Sequence, residues 1–452
     1  MRALTFRPPM AVRGKAKAGA GGSASSSLAE QRRLRVEAAF ATLPHRYLGS
    51  EPGFKAIYEI RLGDVGRTWH VRVSGDDCEV RPTPGGQPDV VIGTDSATWL
   101  ALREGRLSGI DAFALRRLYC RGNLDLALGF EGMFRLPGDR PPLLRITNVH
   151  SAGPSVSTLI AGEGPEQVIC LHGLGSNKAS FFETISALTP EHTVHALDLP
   201  GFGSSEKPAR GGYDASWFAR SVLGYLDSMA IERAHVVGNS MGGRVALELA
   251  LDHPDRVGSV SLLAPAVAWR RNRGFAPLVR LLRPELAAIP HPMSASQVRE
   301  TFWSLFARPD RLDPAAADVV ADEFCRTYRS RAGRIAFFAA LRNIYLDAPH
   351  GDGGFWTRLA GLEPEALFVW GDTDRLVPAG FARHVADALP DARQEVLTEC
   401  GHVPQVELPD ITNGMIADLI AENPTAVPAP RAEQAGPRAR RLLGRVAALS
   451  TR

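Results

Sequence analysis

The sequence predicts an α/β protein in its second half, preceded by a smaller α+β domain. Beyond residue 143, continuous apolar runs are each followed by turn glycines and helical spacing, which indicates parallel strands buried on both faces. Before residue 137, apolar and polar positions alternate in short runs, as in a half-buried antiparallel sheet. Between them, residues 137–142 (Pro-Gly-Asp-Arg-Pro-Pro) interrupt any helix or central strand, so we place the domain boundary there.

The composition is that of a folded chain whose charges nearly balance. Of the 452 residues, 44% are hydrophobic and 22% are charged, and the formal net charge is +3. This net charge is too small to favour nucleic acid or another polyanion as a partner. No apolar run is long enough to cross a bilayer, and the five scattered cysteines are typical of reduced thiols. We therefore expect a cytoplasmic protein without a transmembrane segment or a cysteine–histidine metal cage, and the chemistry that the motifs below indicate needs no metal or organic cofactor.

Both ends of the chain have the composition of disordered segments. Residues 1–27 contain five basic residues, no acidic residue and a stretch rich in glycine and serine, whereas residues 422–452 are rich in proline and arginine. Neither composition can bury enough apolar surface to order the backbone. The sequence therefore predicts disordered tails at 1–27 and 422–452.

The first domain, residues 28–138, is predicted to be an antiparallel meander covered by helices. Strands are expected at 56–62, 68–74 and 78–82, and helices at 29–43 and 96–105. Asp95 or Ser96 is the expected N-cap of the second helix. Because no nucleophile is paired with a base here and no metal ligands cluster, we expect no chemistry in this domain.

From Trp99 onward, the sequence WLALREGRLSGIDAFALRRLYCRGNLDLALGF resembles the sterol carrier protein 2 family. The similarity lies in its Gly-Arg-Leu-Ser turn, its Ala-Phe pair and its Gly-Asn-Leu-Asp-Leu-Ala-Leu close, and it covers about residues 28–136. It implies a lipid-binding domain that holds an acyl chain or a sterol in an apolar tunnel, with the apolar face of residues 124–134 lining it. For any single apolar residue of this segment, a place in an ordinary core is the alternative interpretation.

The run AHVVGNSMGGRVALELALDHP contains the candidate nucleophile, Ser240. A buried strand ends at this serine and a helix starts at once, which is the context that the pattern G-x-S-x-G requires. The turn projects the hydroxyl beyond the strand, and Gly238 and Gly242 leave room for a strained backbone. The helix N-terminus favours the negative charge that develops on an attacked carbonyl. A helix-capping serine is the alternative interpretation.

Two later segments supply a candidate acid and a candidate base in the expected chain order. The strand ALFVW is followed by Asp372 and Asp374, and His402 comes 28 residues after Asp374. We expect His402 to take the Ser240 proton and return it to the leaving group, while an aspartate fixes the histidine tautomer. We choose Asp374 because it lies further along the loop toward the serine, and we expect Asp372 to brace that loop.

Five further segments occur in this order: LHGLGSN, LDLPGFGSSEKP, GNSMGG, WGDTDRLVP and GHVPQVELP. Together they resemble the α/β-hydrolase fold superfamily over residues 143–421. The resemblance implies a mostly parallel sheet with a helical cap, and we expect the cap in the insertion at about 268–355. It also implies two backbone oxyanion donors, the N–H of Met241 beside the nucleophile and the N–H of Leu174 in the first loop.

Other reactive residue types are expected to be structural. His172 lies in the first loop and is more often a hydrogen-bonding residue than a base. Cys400 has no elbow around it, so we interpret it as a loop thiol.

We expect a serine hydrolase that cleaves a lipophilic carboxylic ester through an acyl-serine. The segment GNSMGG also resembles carbon–carbon bond hydrolases of ring-fission diketones, but a tryptophan commonly follows their catalytic histidine where this chain has Val403, and their glycine-rich first loop is missing. The segment LDLPGFGSSEKP resembles haloalkane dehalogenases and epoxide hydrolases, which use an aspartate in place of Ser240. A lipid-binding or transfer protein with an inactive hydrolase domain is the alternative outside enzymes.

Overall fold

The computed structural model describes residues 22–82, 86–189, 191–268, 276–281, 283–288, 294–312 and 314–425. Most of the tails predicted at 1–27 and 422–452 therefore lies outside the described residues. The first helix begins at Gly22, inside the segment that we predicted as disordered. Extension of a helix that is already anchored adds a hydrogen bond for each residue, whereas the start of a helix is costly.

The first domain is a five-stranded mixed sheet with helices packed on it. Its elements are α1 Gly22–Ala41, α2 Leu43–Arg46, β1 Lys55–Leu62, β2 Arg67–Ser74, β3 Asp77–Arg81, β4 Val90–Thr94, α3 Ser96–Glu104, α4 Gly109–Ala114, β5 Leu118–Gly122 and α5 Leu124–Gly132. The sheet order is β3-β2-β1-β4-β5, and the predicted meander β1-β2-β3 is antiparallel. Of the two predicted caps, Asp95 is the N-cap of α3, because its carboxylate accepts the Thr98 N–H.

The core of the first domain is packed with aromatic rings. Phe40 stacks between Trp69 and Trp99, with ring centroids 4.1 and 4.6 Å apart. The buried guanidinium of Arg103 lies 5.6 Å from the Trp99 ring. Burial raises the pKa of the neighbouring Glu131 carboxyl to about 7. Aromatic side chains thus fill much of the space between the sheet and the helices.

The second domain is built on an eight-stranded sheet of order β13-β12-β11-β10-β8-β9-β7-β6. Its strands are β6 Leu144–Val149, β7 Val156–Ala161, β8 Glu166–Leu171, β9 His192–Leu197, β10 Ala234–Asn239, β11 Val257–Leu263, β12 Glu365–Gly371 and β13 Arg393–Leu397. The strands from β13 to β9 are parallel, and β6 and β7 form the predicted antiparallel hairpin. The mostly parallel α/β sheet is therefore confirmed.

Helices cover both faces of this sheet and form a cap. They are α6 Phe182–Leu188, α7 Ala215–Ser228, α8 Met241–Asp252, α9 Ala276–Leu281, α10 Ala295–Trp303, α11 Pro314–Arg329, α12 Arg331–Leu346, α13 Phe355–Leu359, α14 Phe381–Ala388, α15 Pro404–Glu407 and α16 Pro409–Glu422. Helices α9 to α12 lie between β11 and β12, inside the insertion where we expected the cap. The ring of Phe337 on α12 packs edge-on against Phe324 of α11, and it also packs against the large apolar cluster of the second domain.

The two domains pack against each other along α4, α5 and α6. Ile110 of α4 belongs to the same apolar cluster as the residues of α6, and Phe113 lies edge-on to Phe182 with ring centroids 5.7 Å apart. The Ser186 hydroxyl donates to the Asp111 carboxylate. The domains therefore share buried apolar surface, which favours a fixed contact over a flexible tether.

A buried ion cluster crosses this interface. The Lys178 ammonium lies 2.7 Å from Asp198 Oδ2 of its own domain and 2.7 Å from Asp125 Oδ1 on α5. Lys178 is 1% exposed. Burial by itself disfavours the charged form, but the two carboxylates outweigh it and raise the pKa of Lys178. The first domain thus supplies one of the charges that keep this lysine ionised.

We predict that Asp125→Ala lowers the free energy of unfolding by about 3 kcal/mol, because it leaves a buried ammonium with one carboxylate fewer. Glu79→Ala is the control, since it removes an exposed carboxylate paired with Arg81 and should cost under about 1 kcal/mol. Chemical denaturation of the full chain measures both changes. Equal losses of unfolding free energy for the two variants would contradict the larger contribution that we assign to the Lys178–Asp125 pair.

Candidate active site

Ser240 sits in a strained turn between β10 and α8. Its backbone has φ 52° and ψ −113°, a left-handed conformation that costs a residue with a side chain about 1–3 kcal/mol. Hydrogen bonds hold it there, because its N–H donates to the Leu263 carbonyl at 2.9 Å and its own carbonyl accepts the Ala266 N–H at 2.9 Å. The end of β11 therefore fixes the elbow that presents the serine.

Two glycines make the turn sterically feasible. A Cβ atom placed on Gly238 would lie 2.4 Å from the Gly242 carbonyl oxygen, and one on Gly242 would lie 1.9 Å from the Leu171 carbonyl oxygen. Both distances are far shorter than real contacts, so any larger residue at either position would push α8 away from the sheet. The spacing of the motif thus has a direct steric cause.

The aspartate that contacts the candidate base is Asp374. Its Oδ2 lies 2.7 Å from Nδ1 of His402, while its Oδ1 accepts the backbone N–H groups of Leu376 and Val377. Asp374 and His402 are 6% and 5% exposed, so their contact is shielded from water. A histidine that donates from Nδ1 has Nε2 free to accept a proton.

The other aspartate, Asp372, serves the loop. Its Oδ1 accepts the Thr373 hydroxyl at 2.7 Å and the Cys400 N–H at 3.3 Å. The hydrogen bond from the Thr373 hydroxyl contributes most to lowering the pKa of the Asp372 carboxyl. Asp372 therefore links the loop after β12 to the loop that precedes His402.

The histidine loop is bound to the elbow through Asn239. This buried side chain donates from Nδ2 to the carbonyl oxygens of Leu263, at 3.0 Å, and His402, at 3.1 Å. Asn239 immediately precedes Ser240, so its amide brings the loops of the nucleophile and the base together. Sequence reasoning missed this residue, although a polar side chain inside a buried apolar strand was a visible signal.

The first loop lies against the elbow. A Cβ atom placed on Gly173 would be 3.3 Å from Cβ of Ser240, so the adjoining Leu174 lies next to the turn. Met241 is the first residue of α8, where backbone N–H groups have no acceptor within the helix. The backbone of both expected oxyanion donors is thus close to the serine along the chain or in space.

A second buried carboxylate ties the histidine loop to the cap. Glu407 on α15 accepts the Gly401 N–H on Oε2 at 2.7 Å and the Arg308 N–H of the cap on Oε1 at 2.6 Å. In addition, the His402 N–H donates to the Leu305 carbonyl of the cap at 2.7 Å. The cap therefore holds the backbone on which the candidate base sits. Sequence reasoning did not single out Glu407, whose partners are distant in the chain.

His172 and Cys400 have the structural roles that we expected. His172 is fully buried, its Nε2 accepts the Leu199 N–H at 3.0 Å, and its Nδ1 lies 2.7 Å from the Gly173 carbonyl oxygen. Burial lowers the pKa of this imidazole, which keeps it neutral. Burial also raises the pKa of the Cys400 thiol to about 12, so it is not a thiolate.

The described part of the chain contains no group of three or more histidine, cysteine or acidic residues placed to hold a metal ion. None of its helices combines the length and the apolar character that crossing a bilayer requires.

Two family models match the chain, one for each domain. Residues 167–409 match the alpha/beta hydrolase fold, and residues 52–135 match the SCP-2 sterol transfer family. These matches agree with the two resemblances that the sequence motifs indicated.

Curated relatives resemble the second domain. The chain is 30% identical over 274 residues to 2-hydroxy-6-oxo-6-phenylhexa-2,4-dienoate hydrolase of Burkholderia cepacia, covering 58% of this chain and 89% of that protein. It is 31% identical over 255 residues to the dihydrolipoyllysine-residue acetyltransferase component of the acetoin cleaving system of Cupriavidus necator. That match covers 56% of this chain and only 63% of the acetyltransferase component.

Solved structures share the fold. A bacterial membrane phospholipase A aligns with a TM-score of 0.53 and 24% identity, covering 73% of this chain and 97% of its own. A meta-cleavage product hydrolase from Pseudomonas fluorescens aligns with a TM-score of 0.51 and 23% identity, covering 61% and 97%. The chain belongs to the α/β-hydrolase fold family, and a domain of the SCP-2 sterol transfer family precedes its hydrolase domain.

Proposed function

We propose that this protein is a serine hydrolase that cleaves lipophilic carboxylic esters, with Ser240, Asp374 and His402 as its catalytic residues. The observation that carries the proposal is the strained serine elbow, which Asn239 binds to the loop of a histidine that is itself paired with a buried aspartate. Backbone strain of this kind is kept only where the surrounding structure enforces it, and it clusters at active sites.

In the proposed reaction, Ser240 Oγ attacks the ester carbonyl carbon while His402 Nε2 takes the hydroxyl proton. Asp374 stabilises the imidazolium, and the N–H groups of Leu174 and Met241 stabilise the oxyanion. The tetrahedral intermediate collapses, and the alcohol leaves with the proton from His402. Water, deprotonated by the same histidine, then attacks the acyl-serine, and the carboxylic acid departs as the serine regains its proton.

The lipophilic character of the ester rests on the N-terminal domain and on the cap. The N-terminal domain matches the SCP-2 sterol transfer family, and we propose that it binds an acyl chain or a sterol, as that resemblance implies. The rings of Phe324 and Phe337 in the cap lie against Gly175 of the first loop, so aromatic surface adjoins the proposed oxyanion donor. Such surface favours an apolar acyl group.

Carbon–carbon bond hydrolysis is the second candidate. The specific observation in its favour is the 30% identity to 2-hydroxy-6-oxo-6-phenylhexa-2,4-dienoate hydrolase. The same three side chains would serve that reaction. The bond that breaks would then lead to a carbon atom of the enol product instead of the oxygen atom of an alcohol. The two activities differ in substrate, so a direct assay separates them.

We predict that a fluorophosphonate probe labels Ser240 and that Ser240→Ala abolishes both labelling and turnover, with kcat lower by about 10⁴-fold or more. Wild-type protein should hydrolyse p-nitrophenyl acyl esters faster than a ring-fission diketone. Faster cleavage of the diketone would favour the second candidate. An unlabelled serine together with bound lipid in native mass spectrometry would favour a lipid-binding protein with an inactive hydrolase domain.

We predict that Asp374→Asn lowers kcat for p-nitrophenyl esters by about 10³ to 10⁴-fold, because an amide favours the wrong histidine tautomer. Asp372→Asn is the matched control, since Asp372 belongs to the same loop but contacts Thr373 and Cys400 instead of His402. Its kcat should change less than tenfold. Steady-state kinetics of both variants test the assignment, which a larger loss for Asp372→Asn would reverse.

We predict that Glu407→Gln lowers kcat about tenfold with little change in KM, because an amide has one acceptor oxygen for the two N–H groups that the carboxylate binds. Glu399→Gln is the control, because Glu399 lies in the same region but its exposed carboxylate pairs with the side chains of Arg308 and Arg311. The labelling rate with the fluorophosphonate probe should fall in parallel with kcat for Glu407→Gln alone. A pure loss of stability, with kcat per folded molecule unchanged, would contradict a positioning role.

A further inference from the structure

The cap has a surface groove of about 890 Å³ between α12, the 3₁₀ helix Pro284–Ala288 and the loop that precedes α7. Its charged lining residues are Arg210, Arg280, Arg283, Arg331, Arg342 and Glu285. Five guanidinium groups therefore face one carboxylate. Concentrated positive charge in a concave surface attracts anions more strongly than the same charge spread over a convex one.

Within the described residues, most of this charge has no acidic partner. Arg210, Arg280, Arg283 and Arg331 form no ion pair with any residue that the structure describes. Arg342 donates only to neutral acceptors, the carbonyl oxygens of Val279 and Arg280 and the side chain of Asn343. By contrast, Arg244 beside α12 is bound to two carboxylates. The groove differs from such paired sites in having donors left for a ligand.

Hydrogen bonds from a buried arginine hold the wall of the groove in place. Arg334 is buried and donates to the Ala287 carbonyl at 3.0 Å and to the Arg329 carbonyl at 2.7 Å. The first bond fastens the 3₁₀ helix to α12, and the second ties the start of α12 to the end of α11. A preformed wall reduces the entropy that is lost when a ligand binds.

The groove is connected to the neighbourhood of the serine elbow through α12. Arg342, which lines the groove, also lines a cavity of about 370 Å³ whose wall includes Met241. Asn343, which accepts a hydrogen bond from Arg342, lines the same cavity. Arg342 is therefore a wall residue of both, which places the arginines of the groove one cavity away from the residue that follows Ser240.

We propose that the groove binds phosphate groups in the leaving-group half of the substrate. The inference rests on the proposed acyl hydrolysis at Ser240 and specifies the substrate as an acyl ester or thioester of a phosphate-bearing alcohol or thiol. Guanidinium groups bind phosphate oxygens through paired, charge-assisted hydrogen bonds, and several of them match a ligand with more than one negative charge. A soluble coenzyme A thioester and a phospholipid headgroup share this chemistry.

A binding experiment tests the groove without any turnover. Pyrophosphate is titrated calorimetrically into the full chain, into Arg283→Ala/Arg331→Ala, and into the control Arg220→Ala/Arg383→Ala, which removes two exposed arginines outside the groove. We expect the groove variant to bind about tenfold or more weakly and the control to bind like the wild type. No pyrophosphate binding by the wild type, or an equal loss in the control, would overturn the proposal.

Kinetics then test the substrate and its source. For the groove variant, we expect kcat/KM to fall about tenfold for an acyl-coenzyme A thioester, while a p-nitrophenyl ester of the same acyl group is unaffected. If kcat/KM of the groove variant falls for phosphatidylglycerol vesicles but not for the soluble thioester, the lipid headgroup is the source of the phosphate. That result also supports the groove. Equal losses for the phosphorylated and neutral substrates would refute its role.

Turnover and pyrophosphate binding together distinguish a failure of the proposed hydrolysis from a failure of the anion site. Ser240→Ala should abolish turnover of every ester yet bind pyrophosphate like the wild type. If the wild type cleaves no ester but the groove variant still loses pyrophosphate affinity, the proposed function falls and the anion site stands. If esters are cleaved but neither affinity nor kcat/KM depends on the groove, the anion site falls and the hydrolase stands.

Discussion

The Asp198 carboxylate at the end of β9 is the constraint on which the first loop and the domain interface depend. It has no exposure to solvent, so protein groups must match its charge. It accepts the backbone N–H and the ammonium of Lys178 and the backbone N–H of Ser204. The Lys178 ammonium in turn binds Asp125 of the N-terminal domain. The loop that contains Leu174 is therefore held from both domains, and the N-terminal domain contributes to the order of the proposed oxyanion site.

Side chains without chemical reactivity determine where the reactive ones lie. Asn239 connects the elbow to the carbonyl of His402, and Glu407 connects the loop of His402 to the cap at Arg308. Both are nearly inaccessible to solvent, so each of these hydrogen bonds replaces one that water can no longer supply. A movement of the cap would consequently change the position of the candidate base as well as access to it.

The parts of this structure that the sequence predicted are those that depend on local patterns. Apolar runs, the elbow glycines and the chain order of Ser240, Asp374 and His402 are readable because strand burial and a tight turn constrain neighbouring residues. The contact between Asn239 and His402 joins residues 163 positions apart, and no local pattern marks such a pair. Strand β13 escaped prediction because its exposed edge position allows the polar run Arg-Gln-Glu. Packing between distant segments thus accounts for what was missed.

The small net charge argues against a long polyanionic partner, but it does not exclude a small anionic one. The value of +3 sums over the whole chain, whereas a ligand responds to charges within about one Debye length, roughly 8 Å at physiological ionic strength. Much of the positive charge is cancelled locally, as where Arg358 binds both Glu248 and Asp252. A long polyanion needs a broad basic surface, and the balanced total argues against one. A small phosphorylated molecule needs only one unpaired cluster, which a near-neutral total does not exclude.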